Sequence, residues 1–408
     1  MTNRWFALFI IFISFLQFTI NWFNVVPCFG GMIEQMHITL PEIGTIIGMF
    51  LLGYGLVHIP GGWLNEQIGI RYAMLCGIGI ETVGTVITGL SPDLGTLLIA
   101  RVICGIGGAI YIGSAIGITA AWFRQHELVT ATGLVTGVAF TVGAAIGIFP
   151  WHHLVVAYGW RGSQYIGAGI GALTFLLILL AFPVAPAIAA QVEEGHHLGK
   201  ESLKRVFGNR NLWLIGFANL GAYGAYFTVV ELLPGYAQQH LALKPEDAAL
   251  LGTLVLLCGI PGSFLGGWLA DKLIGGVLTF LGACVCVGLL VASIPFVGPG
   301  ALQWIAALIG AIAILGTVGW FALPGLYVHD LKLSDIPTAA GLMLSIAAIG
   351  GVIIPPFYGH VAVKHGYRVA WDAVAVIVFL TACAGIFIQS PRRRQMLRQQ
   401  AQGAGRGL

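Results

Sequence analysis

The sequence predicts an all-α membrane protein of twelve transmembrane helices in two six-helix, pseudo-symmetric bundles. Three observations carry that expectation. First, 58% of the 408 residues are hydrophobic and only 9% are charged. Soluble proteins carry about 25% charged residues, so the chain lacks the polar surface that a soluble domain of this length needs. Second, the apolar residues come in continuous runs long enough to cross a bilayer as helices, which takes ~20 residues. They are not the alternating segments of about ten residues that mark a membrane β-barrel. Third, a motif that closes the second run recurs at the end of the eighth, 205 residues on.

In chain order, the spans are predicted at about 5–27, 42–62, 72–90, 96–122, 128–150, 163–183, 211–234, 247–270, 276–295, 301–326, 337–359 and 369–389. The first run is too long for a signal-peptide core and is followed by no small-residue cleavage site. Most connections are short. The longer one, 184–210, holds Glu193, Glu194, His196 and His197 and then Lys200, Lys204, Arg205 and Arg210. It divides the chain into an N-terminal bundle (1–183), a cytoplasmic linker (184–210) and a C-terminal bundle (211–389), with a basic tail at 390–408. With the N-terminus cytoplasmic, 14 of the 19 Lys and Arg residues fall on the cytoplasmic side, four outside and one, Arg101, within a span. That bias orients the chain by the positive-inside rule. Both termini are then cytoplasmic, in a plasma (inner) membrane. The seven cysteines are mostly in apolar runs, show no metal-ligand spacing and read as small apolar fillers.

The repeat is specific. Gly62, Trp63, Leu64 and Glu66 match Gly267, Trp268, Leu269 and Asp271, and Asn3-Arg4-Trp5 before the first span parallels Asn209 to Trp213 before the seventh. Repeated helix sets are a mark of transporters, in which one half rocks against the other around a midplane site. The loop after the second span carries Gly62, Glu66, Gly69 and Arg71, and its second copy carries Gly267, Asp271, Lys272 and Gly275. The fourth span shows Arg101 followed by Gly105, Gly107 and Gly108; Gly159-Trp160-Arg161 precedes the sixth; Gly350-Gly351 and Pro355-Pro356 lie in the eleventh. In these motifs the whole chain resembles the major facilitator superfamily. The family pattern has Asp where this chain has Glu66 and a basic residue where it has Gln67. The resemblance implies that Glu66 meets the start of helix eleven and Asp271 the start of helix five. A helix N-terminus favours negative charge, so such contacts hold a cytoplasm-closed state and break as the halves rock.

An ionisable group inside a bilayer is a functional candidate by default. Arg101 has three open roles: binding an anionic solute, joining a proton relay, or holding backbone carbonyls of helix one. Its following glycines permit close helix approach. Glu81 lies about ten residues into the third span, where a carboxyl that can be neutral or charged is a natural proton carrier. Glu231 lies near the outer end of the seventh and is a further coupling candidate. The resemblance implies that helices one and seven line a cavity. Gln17, Asn21 and Asn24 form one polar stripe at i, i+4 and i+7, and Asn219, Tyr223 and Tyr226 form another. Lipid satisfies neither, so each faces protein or a wet cavity. Solute contact and hydrogen bonding between helices are both open. Tyr54 and His58 make an i, i+4 pair on helix two where helix eight offers Gly259 and Ser263, so the repeat is chemically asymmetric. Trp320 in helix ten is a cavity wall or a packing residue.

Other classes are disfavoured. No nucleotide-binding Gly-Lys-Ser/Thr loop exists, and no Gly-x-Ser-x-Gly or His-Glu-x-x-His motif points to a hydrolase. His152-His153 and His196-His197 lack metal-site spacing, nothing resembles a ring of channel ligands, and no aromatic-interleaved basic patch points to nucleic acid. The expectation is a monomeric secondary transporter, without cofactor or metal, whose partners are a small solute and the lipid bilayer. The solute sits between helices 1, 2, 4 and 5 and helices 7, 8, 10 and 11, and transport is coupled to protons. The resemblance at Gly159-Trp160-Arg161 and helix five to monocarboxylate and oxalate–formate type carriers favours a small organic anion such as a carboxylate. Two alternatives stay open: a proton-antiport exporter of neutral or amphipathic compounds, and a transport-inactive sensor on the same fold.

Overall fold

Several helices start where the sequence supplies a cap. Before α3 (Leu40–Ile68), the Thr39 backbone N–H donates to Glu42 Oε2 at 2.6 Å in a reciprocal capping box, with Pro41 in the first turn. Asp93 Oδ1 accepts from the Thr96 N–H at 2.8 Å at the head of α5 (Leu94–Trp122). The Asn209 side chain accepts from the Asn211 N–H at the head of a helix spanning Arg210–Leu241. The computed structural model that shows this describes residues 4–122, 131, 133–182, 200–272, 275–326, 331 and 336–388.

The remaining elements follow in order. α1 (Arg4–Phe23) continues through a 3-10 turn at Val26–Cys28 into α2 (Phe29–Met36), beyond the predicted end of the first span near residue 27. α4 is Ile70–Leu90. A π-helical stretch at Gly133–Ala139 leads into α6 (Phe140–Ala181), which turns at Gly159 with φ of 72°. α7 (Lys200–Phe207) is a short helix inside the predicted linker, whose residues 184–199 lie outside the described residues, as does the basic tail. α8 is Arg210–Leu241, α9 Pro245–Leu257, α10 Gly259–Lys272, α11 Gly276–Ser293, α12 Pro299–Leu326, α13 Ile336–His365 and α14 Tyr367–Ala382. The predicted eighth span is thus two helices meeting at Cys258.

Among the described residues, eleven helical stretches are long and apolar enough to cross a membrane. One of them, Leu134–Ala181, has 48 residues. At 1.5 Å per residue a straight helix of that length spans ~70 Å, against a hydrocarbon core of ~30 Å. The turn at Gly159 divides it into two membrane-length passes, so the described residues hold twelve.

The internal duplication is visible in the backbone. Among the described residues, the glycines with positive φ are Gly69, Gly159, Gly275 and Gly366, and each sits where two helices join. Gly69 pairs with Gly275 and Gly159 with Gly366 at nearly the sequence offset of 205. The close approaches repeat as well. A Cβ on Gly105 would overlap the Phe50 carbonyl oxygen, and one on Gly310 would overlap that of Val255. Gly310 and Val255 each lie 205 residues after their counterparts. Accordingly, α5 packs on α3 and α4 in the first half as α12 packs on α10 and α11 in the second.

The halves meet mainly along α3 and α13. Gly44 abuts Pro355 and Pro356, Gly48 abuts Val352, and Gly359 abuts Leu40 and Pro41. Ser345 Oγ donates to the Gly55 carbonyl at 2.7 Å. A second contact joins α6 to α9 at Ile148 and Gly252, and a third joins α1 to α8 through aromatic rings.

Candidate functional site

The polar stripe of α1 faces inward to the first half. Gln17 Nε2 donates to Glu81 Oε2 on α4 at 3.1 Å. Asn21 Nδ2 donates to the Gly167 carbonyl on α6 at 3.2 Å, and Asn24 Nδ2 to Asn21 Oδ1 at 3.3 Å. Gln164, which the sequence did not single out, donates its amide to Asn24 Oδ1 at 3.1 Å. Each of these side chains is almost fully buried. Among the described residues, Gln17 Oε1 and Glu81 Oε1 have no donor.

Trp22, on the same helix, points instead to the boundary between the halves. Its ring centroid lies 4.4 Å from that of Phe50 and 5.0 Å from that of Tyr54 on α3, and 5.8 Å from that of Phe140 on α6. Across the boundary it lies 5.3 Å from Phe227 of α8, with the planes 11° apart. Phe23 is 5.2 Å from Trp22 and 6.3 Å from Phe227, again nearly parallel to both. Tyr223 and Tyr226 pack on Phe227 at 4.9 and 5.3 Å. A bank of rings from both halves therefore fills the space between α1, α3, α6 and α8. Its sequence signal is a one-turn extension of patterns already noted: Phe50 precedes the Tyr54–His58 pair by four residues, and Phe227 follows Tyr223 by four.

Arg101 underlies this bank. Its guanidinium donates to the Trp22 carbonyl at 3.0 Å and lies 4.8 Å from the centre of the Phe50 ring, a cation–π arrangement. The side chain is 1% exposed and its Nε has no partner. Glu231 is 2% exposed, and neither of its carboxyl oxygens has a hydrogen-bond partner. The Tyr226 hydroxyl and His58 Nε2 are also buried without a partner, and the His58 ring meets the Tyr54 ring edge-on at 4.3 Å.

Other predicted residues stand apart. Asn219 is buried on α8. Trp320 Nε1 donates to the Ile215 carbonyl at 3.2 Å, which braces α12 on α8 within the second half. Arg71 donates to the Leu179 carbonyl at 2.7 Å, so this basic residue of the loop motif ties α4 to the end of α6. Gly267 lies 4.0 Å from Val318, measured from an added Cβ. Gly62, Glu66, Asp271 and Lys272 fall on helical backbone, and the side chains of Glu66, Asp271 and Lys272 lie outside the described residues.

Comparison with known proteins agrees with this architecture. The sequence model of the family described as Major Facilitator Superfamily matches residues 7–332. The chain is 25% identical over 379 residues to a probable sulfoacetate transporter of Cupriavidus necator, covering 87% of this chain and 86% of the relative. It is 24% identical over 419 residues to a D-galactonate transporter of Escherichia coli, covering 96% and 97%. To human sialin it is 26% identical over 350 residues, covering 76% and 67%. Among solved structures, a bacterial homologue of the human lysosomal transporter Spinster, inward-facing and unoccupied, superposes with a TM-score of 0.77. The identity there is 16%, over 96% of this chain and 97% of that one.

Proposed function

The chain belongs to the major facilitator superfamily of membrane transporters, and within it we propose that this protein carries a small organic anion together with a proton, by alternating access. Arg101 carries the reading. Its buried guanidinium lies against rings that reach the boundary of the halves, so an anion passing along that boundary meets a fixed positive charge. Two relatives named for organic anions, sulfoacetate and D-galactonate, support the same class.

Charge balance supports the proton. Arg101 offers one positive charge to Glu81, to Glu231 and to a solute carboxylate. An ionised carboxylate buried without a partner costs several kcal/mol. The Gln17 amide meets one oxygen of Glu81, whereas neither oxygen of Glu231 has a hydrogen-bond partner among the described residues. A solute carboxylate at Arg101 therefore requires a proton on Glu231. Once the solute leaves, Arg101 is left without a counter-charge, and Glu231 is free to release its proton and restore the balance. With the Lys/Arg-rich end and both termini in the cytoplasm, the closed contact of Leu40 with Gly359 faces outward. Glu66 and Asp271 then serve the switch at the opposite end, in the plasma membrane.

Proteoliposomes with a more acidic exterior test this. The wild-type protein is expected to accumulate a labelled carboxylate above its equilibrium distribution. Glu231→Gln is expected to keep exchanging labelled for unlabelled solute while losing accumulation by about tenfold or more, as for a coupling group that is not the binding group. Undiminished accumulation in Glu231→Gln removes that residue from the coupling. If no carboxylate moves under any gradient, the transport reading itself is wrong.

A further inference from the structure

The relatives named above for sulfoacetate and D-galactonate carry small, strongly hydrated anions, yet the boundary between the halves of this chain is built of aromatic rings. Trp22, Phe23, Phe50, Tyr54 and Phe140 come from the first half, and Phe227 comes from the second. Alternating access requires the halves to part, and parting withdraws Phe227 from Trp22 and Phe23. Flat apolar ring surface is then bared to a wet cavity. A hydrated sugar acid leaves that surface wet. A planar ring covers it, because offset-stacked rings at these centroid spacings attract beyond their area burial. The polar atoms around the bank suit the rest of such a ligand. Arg101 lies behind Phe50 with Nε unpartnered, and the Tyr226 hydroxyl and His58 Nε2 are buried with no partner.

We propose that the solute is an aromatic monocarboxylate, whose ring takes the place of Phe227 against Trp22 and whose carboxylate is drawn to Arg101. The proposal rests on the organic-anion reading above and narrows it. Phe227 acts as a stopper that occupies the ring site when the halves close and yields it when they open. Trp22 and Phe227 then set specificity, and Arg101 sets charge.

Binding to the detergent-solubilised full-length protein is the suitable readout, since benzoic acid crosses bilayers unaided. Benzoate is expected to bind about tenfold or more tightly than gluconate, acetate or benzyl alcohol, which each lack either the ring or the carboxylate. Trp22→Leu is expected to weaken benzoate by about tenfold while changing gluconate and acetate by less than about twofold. Thermal unfolding of the variant checks that it remains folded. Phe227→Leu, which removes the competing ring and leaves Trp22 in place, is expected to bind benzoate at least as tightly as the wild-type protein, and a loss of about tenfold there would overturn the stopper role. Gluconate uptake into proteoliposomes, assayed in parallel, separates the two levels of the argument. If gluconate is carried and bound as well as or better than benzoate, or if Trp22→Leu weakens every ligand equally, the aromatic proposal is overturned and the organic-anion reading survives. If no carboxylate binds or is carried, both are overturned.

Discussion

Hydrogen bonds at Glu81 do not balance without a proton. Gln17 gives Nε2 to Glu81 Oε2, which leaves Gln17 Oε1 and Glu81 Oε1 buried and facing no donor. A proton on the carboxyl supplies a donor to the pair, and a glutamine at position 81 supplies two. A leucine supplies none and strands the Gln17 amide as well. Glu81→Leu is therefore expected to destabilise the protein by about 1–3 kcal/mol and Glu81→Gln by less than about 1, read as thermal unfolding in detergent. Equal losses in both variants would mean that the pair contributes packing alone. The spacing of Gln17, Asn21 and Asn24 made the stripe legible as one face of one helix. It did not show that this face meets α4 and the second arm of α6 rather than the boundary between the halves. Helical periodicity groups residues by direction, and only the packing of other helices decides what lies in that direction. Trp22 and Phe50 were not singled out for the related reason that an aromatic residue in a membrane helix fits lipid, core and site alike, and the only pointer to Phe50 was its place one turn before Tyr54.

Among elements, glycine placement decides how closely helices approach. Gly105 and Gly310 each sit against a backbone carbonyl of the facing helix, an obstacle that no side-chain rotation can clear. Gly105→Ala and Gly310→Ala should each force α5 from α3, or α12 from α9, and cost about 1–3 kcal/mol as overpacking does. Gly169 on α6 has open space where its Cβ would go. Gly169→Ala should be neutral or stabilising by up to about 1 kcal/mol, since Ala favours helix over Gly. Unfolding midpoints for the three variants check the contrast, and a loss at Gly169 matching the other two would show that close backbone contact does not govern these positions. The close approach at Gly105 was legible from the glycine spacing after Arg101. The division of the eighth span at Cys258 and the extension of the first through Val26–Cys28 to Met36 were not. Hydropathy marks where apolar residues lie and is blind to a local change in backbone path within an apolar run.

For the whole molecule, duplication was the most legible feature, because the same loop chemistry recurs at a fixed distance along the chain. The relation between the halves was not legible, since a rocking pair of bundles uses one sequence for several arrangements. In the arrangement observed, α3 and α13 touch from Leu40 and Gly359 at one end to Ile59 and Gly341 at the other, where an added Gly341 Cβ lies 3.5 Å from Ile59 Cγ1. If alternating access works by parting these helices first at one end and then at the other, tethering them should stop it. A cysteine at position 59 would carry its Sγ about where Ile59 Cγ1 lies, close to the Cβ of residue 341, so cysteines at both positions can be joined by a disulfide or a short bis-thiol linker. The doubly substituted protein, Ile59→Cys with Gly341→Cys, is expected to lose carboxylate exchange on oxidation and to regain it on reduction. Each singly substituted protein should be insensitive to the same treatment. A tether between α4 and α5, which stay within one half, should leave exchange intact. Because the tether touches neither Arg101 nor the ring bank, loss of exchange on oxidation tests the motion of the halves apart from the chemistry of the site. Continued exchange in the tethered protein would require a route that does not separate α3 from α13 at this end.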